Sequence, residues 1–157
     1  MNTNKTLSSA NPFIVRLPFD KPVRGQENWA CTVVFDVRPD GIYTGVALRS
    51  PKDIYDGNKG DQIAVGRAKA KTGWYMDWDM LTKIISIKSK THKPEIPVAL
   101  FRFWALEVAA HFIVKNINPS EHEMIFGELG IPKQFLTNDY SDWFDNKENE
   151  IVKSVYG

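Results

Sequence analysis

Between Asn28 and Arg49 the chain alternates as two strands joined by a tight turn would. Trp29, Cys31, Val33, Phe35 and Val37 occupy every second position of NWACTVVFDVR, and IYTGVALR from Ile42 reads as the return strand. A period of two sends successive side chains to opposite faces, so the hairpin presents an apolar face that something must cover. Between the strands Pro39-Asp40-Gly41 supplies turn chemistry, proline presetting φ and glycine accepting φ > 0. Ahead of the hairpin, PFIVRLPFDKPVRG carries Pro12, Pro18 and Pro22. Proline has no N–H for a ladder, which predicts an extended or edge segment. Residues 1–12 read as a flexible arm.

The period then changes. SPKDIYDGNKGDQ is polar with two glycines and predicts a loop. From Asp61, residues Ile63, Ala64, Arg67, Ala68 and Lys71 fall at three- and four-residue spacings, which predicts a short helix ending near Gly73. Asp61 stands where an N-cap or first-turn acid would help. Gly66 costs about 1 kcal/mol against alanine inside a helix, which suggests close packing of that glycine on the hairpin. A second helix is expected from Asp77 or Asp79 to Ser89, with Met80, Leu81, Ile84 and Ile85 as its stripe; its end, ISIKSK, also alternates as a short strand would. KTHKPEIP reads as a loop because of Pro94 and Pro97.

The strongest helix is Val98 to Lys115. Phe101, Trp104, Ala105, Val108 and Phe112 form one stripe, and Leu100, Phe103, Leu106 and Ile113 widen it until the helix is apolar nearly all round. Such a helix is central and buried. Asn118-Pro119-Ser120-Glu121 is a start signal, with Asn as cap, Pro in the first turn and Glu at the third position. The helix it opens runs to Leu129 and stops at Gly130. Beyond it, residues 137–157 form an acidic tail interleaved with Tyr140, Trp143 and Phe144.

Composition narrows the class. With 157 residues, 43% hydrophobic and 25% charged, the chain is the size and make-up of one folded soluble domain, residues 1–157. One cysteine, Cys31, excludes an internal disulfide and a multi-cysteine metal site, and fits a reducing compartment. The polar N-terminus has no apolar signal region. Pro97–Val114 is too short and too interrupted by Arg102, Glu107 and His111 to span a bilayer. The expected location is the cytoplasm of a host cell, with no membrane association.

Charge is uneven. Residues 1–118 hold 17 basic and 11 acidic side chains, whereas residues 119–157 hold 3 and 8. Much of the basic excess lies in one stretch, at Lys59, Arg67, Lys69, Lys71, Lys83, Lys88, Lys90 and Lys93, against Asp61, Asp77 and Asp79; Trp74, Tyr75 and Trp78 lie within it. Cations for phosphates and aromatics for stacking describe a single-stranded nucleic-acid surface. The plainer reading is a solvated helix face with core tryptophans. The tail, with Asp139, Tyr140, Asp142, Trp143, Phe144 and Asp145, also has two readings. Its rings dock on the protein's own core, or the acidic-aromatic segment docks on a partner.

Catalytic patterns are absent. His92, His111 and His122 show no HxxxH or HExxH spacing for a metal. Asp53, Asp56, Asn58 and Asp61 lack the alternation and closing glutamate of a calcium loop. GNKG at 57–60 is not a phosphate-loop motif, although the helix start beside Lys59 offers backbone N–H groups to an anion. Asp145-Asn146-Lys147 is the nearest approach to a nuclease cluster. Cys31 has no neighbouring base and reads as core.

The segment TGVALRSPKDIYDGNKGDQIAVGRAKA, residues 44–70, resembles one found in small phage- and plasmid-borne proteins, where a strand leads to a C-S-P-K-D-like loop and a G-R-x-I-A-x-G-R-like helix. The present chain has Arg49 where cysteine is common and Asp61 where arginine is. The resemblance implies an origin on a mobile element and carries over no catalytic residue.

The expectation is therefore an α+β domain, a β-hairpin or small antiparallel sheet packed against three to four helices with helix 98–115 central. The expected function is non-enzymatic binding, without cofactor or metal, by a mobile-element protein that regulates or inhibits a host nucleoprotein machine such as a defence complex or polymerase. One alternative is a single-stranded nucleic-acid binder using Lys59, Arg67, Lys69, Lys71, Lys88, Lys90, Lys93, Trp74 and Trp78. Another is a small metal-dependent hydrolase or nuclease using acids between Asp53 and Asp61.

Overall fold

The computed structural model describes residues 6–7, 12–19, 28–52, 57–77 and 96–156, and the hairpin forms as its alternation predicts. β3 (Ala30–Arg38) and β4 (Gly41–Arg49) pair antiparallel from Ala30↔Arg49 to Arg38↔Gly41. The proline-flanked strand β2 (Phe13–Leu17) adds to the outer side of β3, and the two-residue β5 (Tyr75–Met76) to the outer side of β4. The result is a four-stranded antiparallel sheet in the order β2-β3-β4-β5. A separate two-stranded ladder joins β1 (Thr6–Leu7) to β6 (Ile96–Pro97). This corrects the arm and the loop at those four residues. Pro97 is tolerated because so short a ladder does not require its missing N–H.

Among the described residues four helices close the two faces of the sheet. On one face α1 (Gly57–Lys69) buries Ala64 and Ala68 against Val34 and Ala47, with Ile14 and Val65 alongside. The helix begins four residues before Asp61, so GNKG belongs to its first turn. Asp61 is consequently not a cap: it lies one turn in and pairs with Arg16 of β2. The expected role of Gly66 is corrected too. A Cβ at Gly66 would meet nothing within 4 Å, whereas one at Gly45 would come to 2.0 Å from the Ala64 carbonyl oxygen and 2.6 Å from the Ala68 nitrogen. The strand supplies the glycine and the helix supplies two alanines. α1 ends in a double turn closure, Lys71 N–H to Ala68 O at 3.1 Å and Thr72 N–H to Arg67 O at 3.2 Å, with Lys71 left-handed at φ 59°. Glycine is the usual occupant of that position.

The other face is covered by α2 (Val98–Asn116), α3 (His122–Leu129) and α4 (Ser141–Tyr156). Phe101 of α2 tilts against Phe35 at 4.9 Å and Phe13 at 5.3 Å, and Trp104 meets Phe101 edge-on at 5.8 Å. The predicted signals around α3 are present. Asn118 Oδ1 accepts from the Ser120 N–H at 3.3 Å, Pro119 opens the short 3-10 turn Pro119–Glu121, and Gly130 at φ 74° ends the helix.

The acidic tail is largely α4. Tyr140, Phe144, Glu148 and Ile151 share one helical stripe turned to the core, in which Phe144 stacks on Phe103 at 4.8 Å and Trp143 meets Phe135 edge-on at 5.2 Å. Of the two readings of the tail aromatics, the structure shows the rings in the protein's own core. Asp139, Asp142 and Asp145 stay exposed. The helix expected from Asp77 or Asp79 to Ser89 lies outside the described residues, as do Asp53, Asp56, Trp78, Lys83, Lys88, Lys90, His92 and Lys93. No helix among the described residues is long and apolar enough to cross a membrane.

Candidate functional site

β5 accompanies β4 only at Ile42↔Met76 and Tyr43↔Tyr75. At Thr44 the chain peels away: the Trp74 carbonyl accepts from the Thr44 N–H at 3.0 Å and from its hydroxyl at 2.7 Å. Gly73 makes this possible, since a Cβ there would lie 2.1 Å from the Thr44 carbonyl oxygen. From Gly45 onward β4 has no outer strand partner among the described residues. Arg67 reaches from α1 instead and donates from Nη1 to the Val46 carbonyl at 2.5 Å. An edge carbonyl is thus satisfied by a guanidinium, whose fork retains further N–H donors.

This open edge is the floor of a cleft of about 760 Å³. Arg67 and the Thr72–Trp74 turn form one wall, and Val108, His111, Phe112, Lys115 and Asn116 of α2 form the other. The Arg67 guanidinium sits 5.7 Å from the centre of the Phe112 ring. Trp74 remains 39% exposed, with His111 edge-on to it at 5.0 Å. Among the described residues no carboxylate lines the cleft. Its charge comes from Arg67 and Lys115, while burial lowers the His111 pKa and favours the neutral ring.

A polar chain runs behind the α2 wall. His111 Nε2 lies 2.8 Å from the Tyr140 hydroxyl, which donates to Glu107 Oε2 at 3.3 Å. Desolvation pushes Glu107 up to about 7, against the Tyr140 hydrogen bond and with help from Glu148 and Asp145. Glu148 accepts from Trp104 Nε1 at 2.7 Å, and burial raises its pKa as well.

Of the basic-aromatic set read from the sequence, Arg67 and Trp74 meet in this cleft. Lys69 and Lys71 are exposed at the end of α1 beside it, and the Lys71 ammonium lies 4.8 Å from the Tyr43 ring centre. Lys59 is exposed eight residues back along α1, about 12 Å at the rise of an α-helix. The sequence reading missed His111, Phe112, Lys115 and Asn116. Their signal is a polar break in an otherwise apolar helix, with His111 and Lys115, and likewise Phe112 and Asn116, spaced i, i+4 on neighbouring faces.

Burial pushes the Cys31 thiol up to about 12, far from a reactive thiolate. His122 is buried with Nε2 2.8 Å from the Ile117 carbonyl. No group of three His, Cys, Asp or Glu among the described residues could hold a metal ion. The chain matches no family model, no curated protein and no solved structure.

Proposed function

We propose that this chain is a non-enzymatic binding protein whose cleft takes single-stranded nucleic acid. The observation that supports this is the meeting of an exposed indole, Trp74, with Arg67 and Lys115 in one cleft that no carboxylate lines among the described residues. Every base has a face to stack on an indole, and every nucleotide carries a phosphate for a guanidinium or ammonium, so such a site binds strands with little sequence preference. Lys69 and Lys71 extend the positive surface beyond the cleft mouth.

Fluorescence anisotropy with a labelled oligodeoxythymidylate across a salt series tests the reading. Affinity is expected to fall with log salt at a slope of roughly −0.7 per phosphate contact. Trp74→Ala is expected to cost about 1–3 kcal/mol of binding, and Arg67→Glu with Lys115→Glu to abolish it. Absent or salt-insensitive binding contradicts the reading.

A second reading has its own support: α4 holds Asp142 and Asp145 exposed on an ordered helix. Together with the resemblance to mobile-element proteins, this favours a regulator that presents an acidic helix face to a host nucleoprotein machine. Under that reading, charge reversal at Asp142 and Asp145 removes the effect on the host, and reversal at Arg67 and Lys115 does not.

A further inference from the structure

His111 belongs to two environments. One side of its ring helps to wall the cleft and meets Trp74. Its Nε2 lies 2.8 Å from the hydroxyl of Tyr140, which continues to the buried carboxyl of Glu107. A tyrosine hydroxyl has one proton, and a neutral imidazole has one N–H. The state of Glu107 therefore biases which way the chain of hydrogen bonds points. When Glu107 is ionised, Tyr140 donates to it and must accept from His111, so the imidazole proton sits on Nε2 and Nδ1 is a bare acceptor. When Glu107 is protonated, its O–H can donate to Tyr140, which leaves Tyr140 free to donate to Nε2 and the imidazole proton free to sit on Nδ1.

We propose that His111 contacts the ligand in the cleft and that Tyr140 and Glu107 are positioning residues that set its tautomer, so that the cleft grips a phosphate-bearing strand more tightly with Glu107 protonated than ionised. This rests on the nucleic-acid reading of the cleft. Two effects share one sign. A protonated Nδ1 is a donor to phosphate oxygen, whereas a bare Nδ1 repels it, and an ionised Glu107 behind the wall adds a negative charge that disfavours the anion. The groups facing Glu107 are Tyr140, Glu148 and Asp145 from the α4 side and His111 on its own helix. Those sharing the cleft with His111 are Arg67 and Lys115.

The test is the affinity of the full-length protein for a rhodamine-labelled oligodeoxythymidylate at constant ionic strength, from about pH 5.5 to pH 8, a range over which thymine keeps its proton. Wild type is expected to lose at least about fivefold in affinity as the pH rises through about 7, where Glu107 titrates. Glu107→Gln keeps a neutral, donating side chain and is expected to hold the low-pH affinity throughout. Tyr140→Phe cuts the chain and is expected to flatten the profile at the weaker level. Circular dichroism of each variant confirms that it is folded. A wild-type profile that is flat, or that Glu107→Gln reproduces with the same slope, overturns the proposal while leaving the cleft reading intact. No binding at any pH overturns both.

Discussion

The two faces of one hairpin are closed by opposite means. Beneath α1 the contact is made by backbone and methyl groups: Gly45 lets the helix come so near that a Cβ would meet the Ala64 carbonyl at 2.0 Å. Beneath α2 the contact is made by rings, Phe35, Phe101, Trp104, Phe103 and Phe144, with Glu107 and Glu148 buried among them. The thin face brings α1's cations close to the sheet edge, so that Arg67 can reach an edge carbonyl. The thick face keeps its charges inside, where desolvation acts on their protons. The cleft forms where the two meet, at the stretch of β4 that β5 leaves uncovered.

Substitutions that act on one face only sharpen this contrast. The largest expected effect is at Gly45. Gly45→Ala drives a methyl into the α1 backbone, which has no side chain to move aside, and should cost about 3 kcal/mol in urea unfolding. Loss of less than about 1 kcal/mol would mean that α1 is not seated on the strand. On the thick face the effect depends on pH. Glu107 is raised from its ordinary value to about 7. A group whose folded pKa is raised contributes stability that is present below its unfolded value, near 4.5, and lost as pH rises through the folded value. Wild type should therefore lose roughly 2 kcal/mol between about pH 4.5 and pH 7 through this group. Glu107→Gln should remove most of that slope, leaving the same-signed contribution of Glu148. Thermal melts across the range check it. The smallest effect is at Gly66, where the same glycine-to-alanine change meets open space and should stabilise by about 0.5–1 kcal/mol. Opposite signs for Gly45→Ala and Gly66→Ala are the signature of a face built on one glycine and not on the other.

What was legible in the sequence was local. The β3–β4 alternation, the apolar run of α2, the Asn118 cap and the Gly130 stop each state their structure within a few residues. The start of α1 was not legible, because Gly57, Asn58 and Gly60 are poor helix formers. There packing on the sheet decides: a Cβ at Gly60 would lie 3.3 Å from the Thr32 hydroxyl. Nor could the sequence distinguish a glycine that meets a helix from one that meets solvent. The α4 stripe was obscured by Glu148, a charge in a core position that Trp104 makes tolerable. The cleft was half legible. Arg67 and Trp74 are near in sequence and stood out as a cation beside an indole. Their counterparts His111 and Lys115 are brought to them only by the packing of α2 beneath the open end of β4.

Whether the open edge of β4 is a binding site is tested most directly by an amide NMR titration with a short single-stranded oligonucleotide. Binding in the cleft predicts the largest shifts at Thr44–Val46, Arg67, Thr72–Trp74 and Val108–Asn116, together with the Trp74 indole N–H. Shifts confined to α4 around Asp142 and Asp145, or none at all, would contradict it.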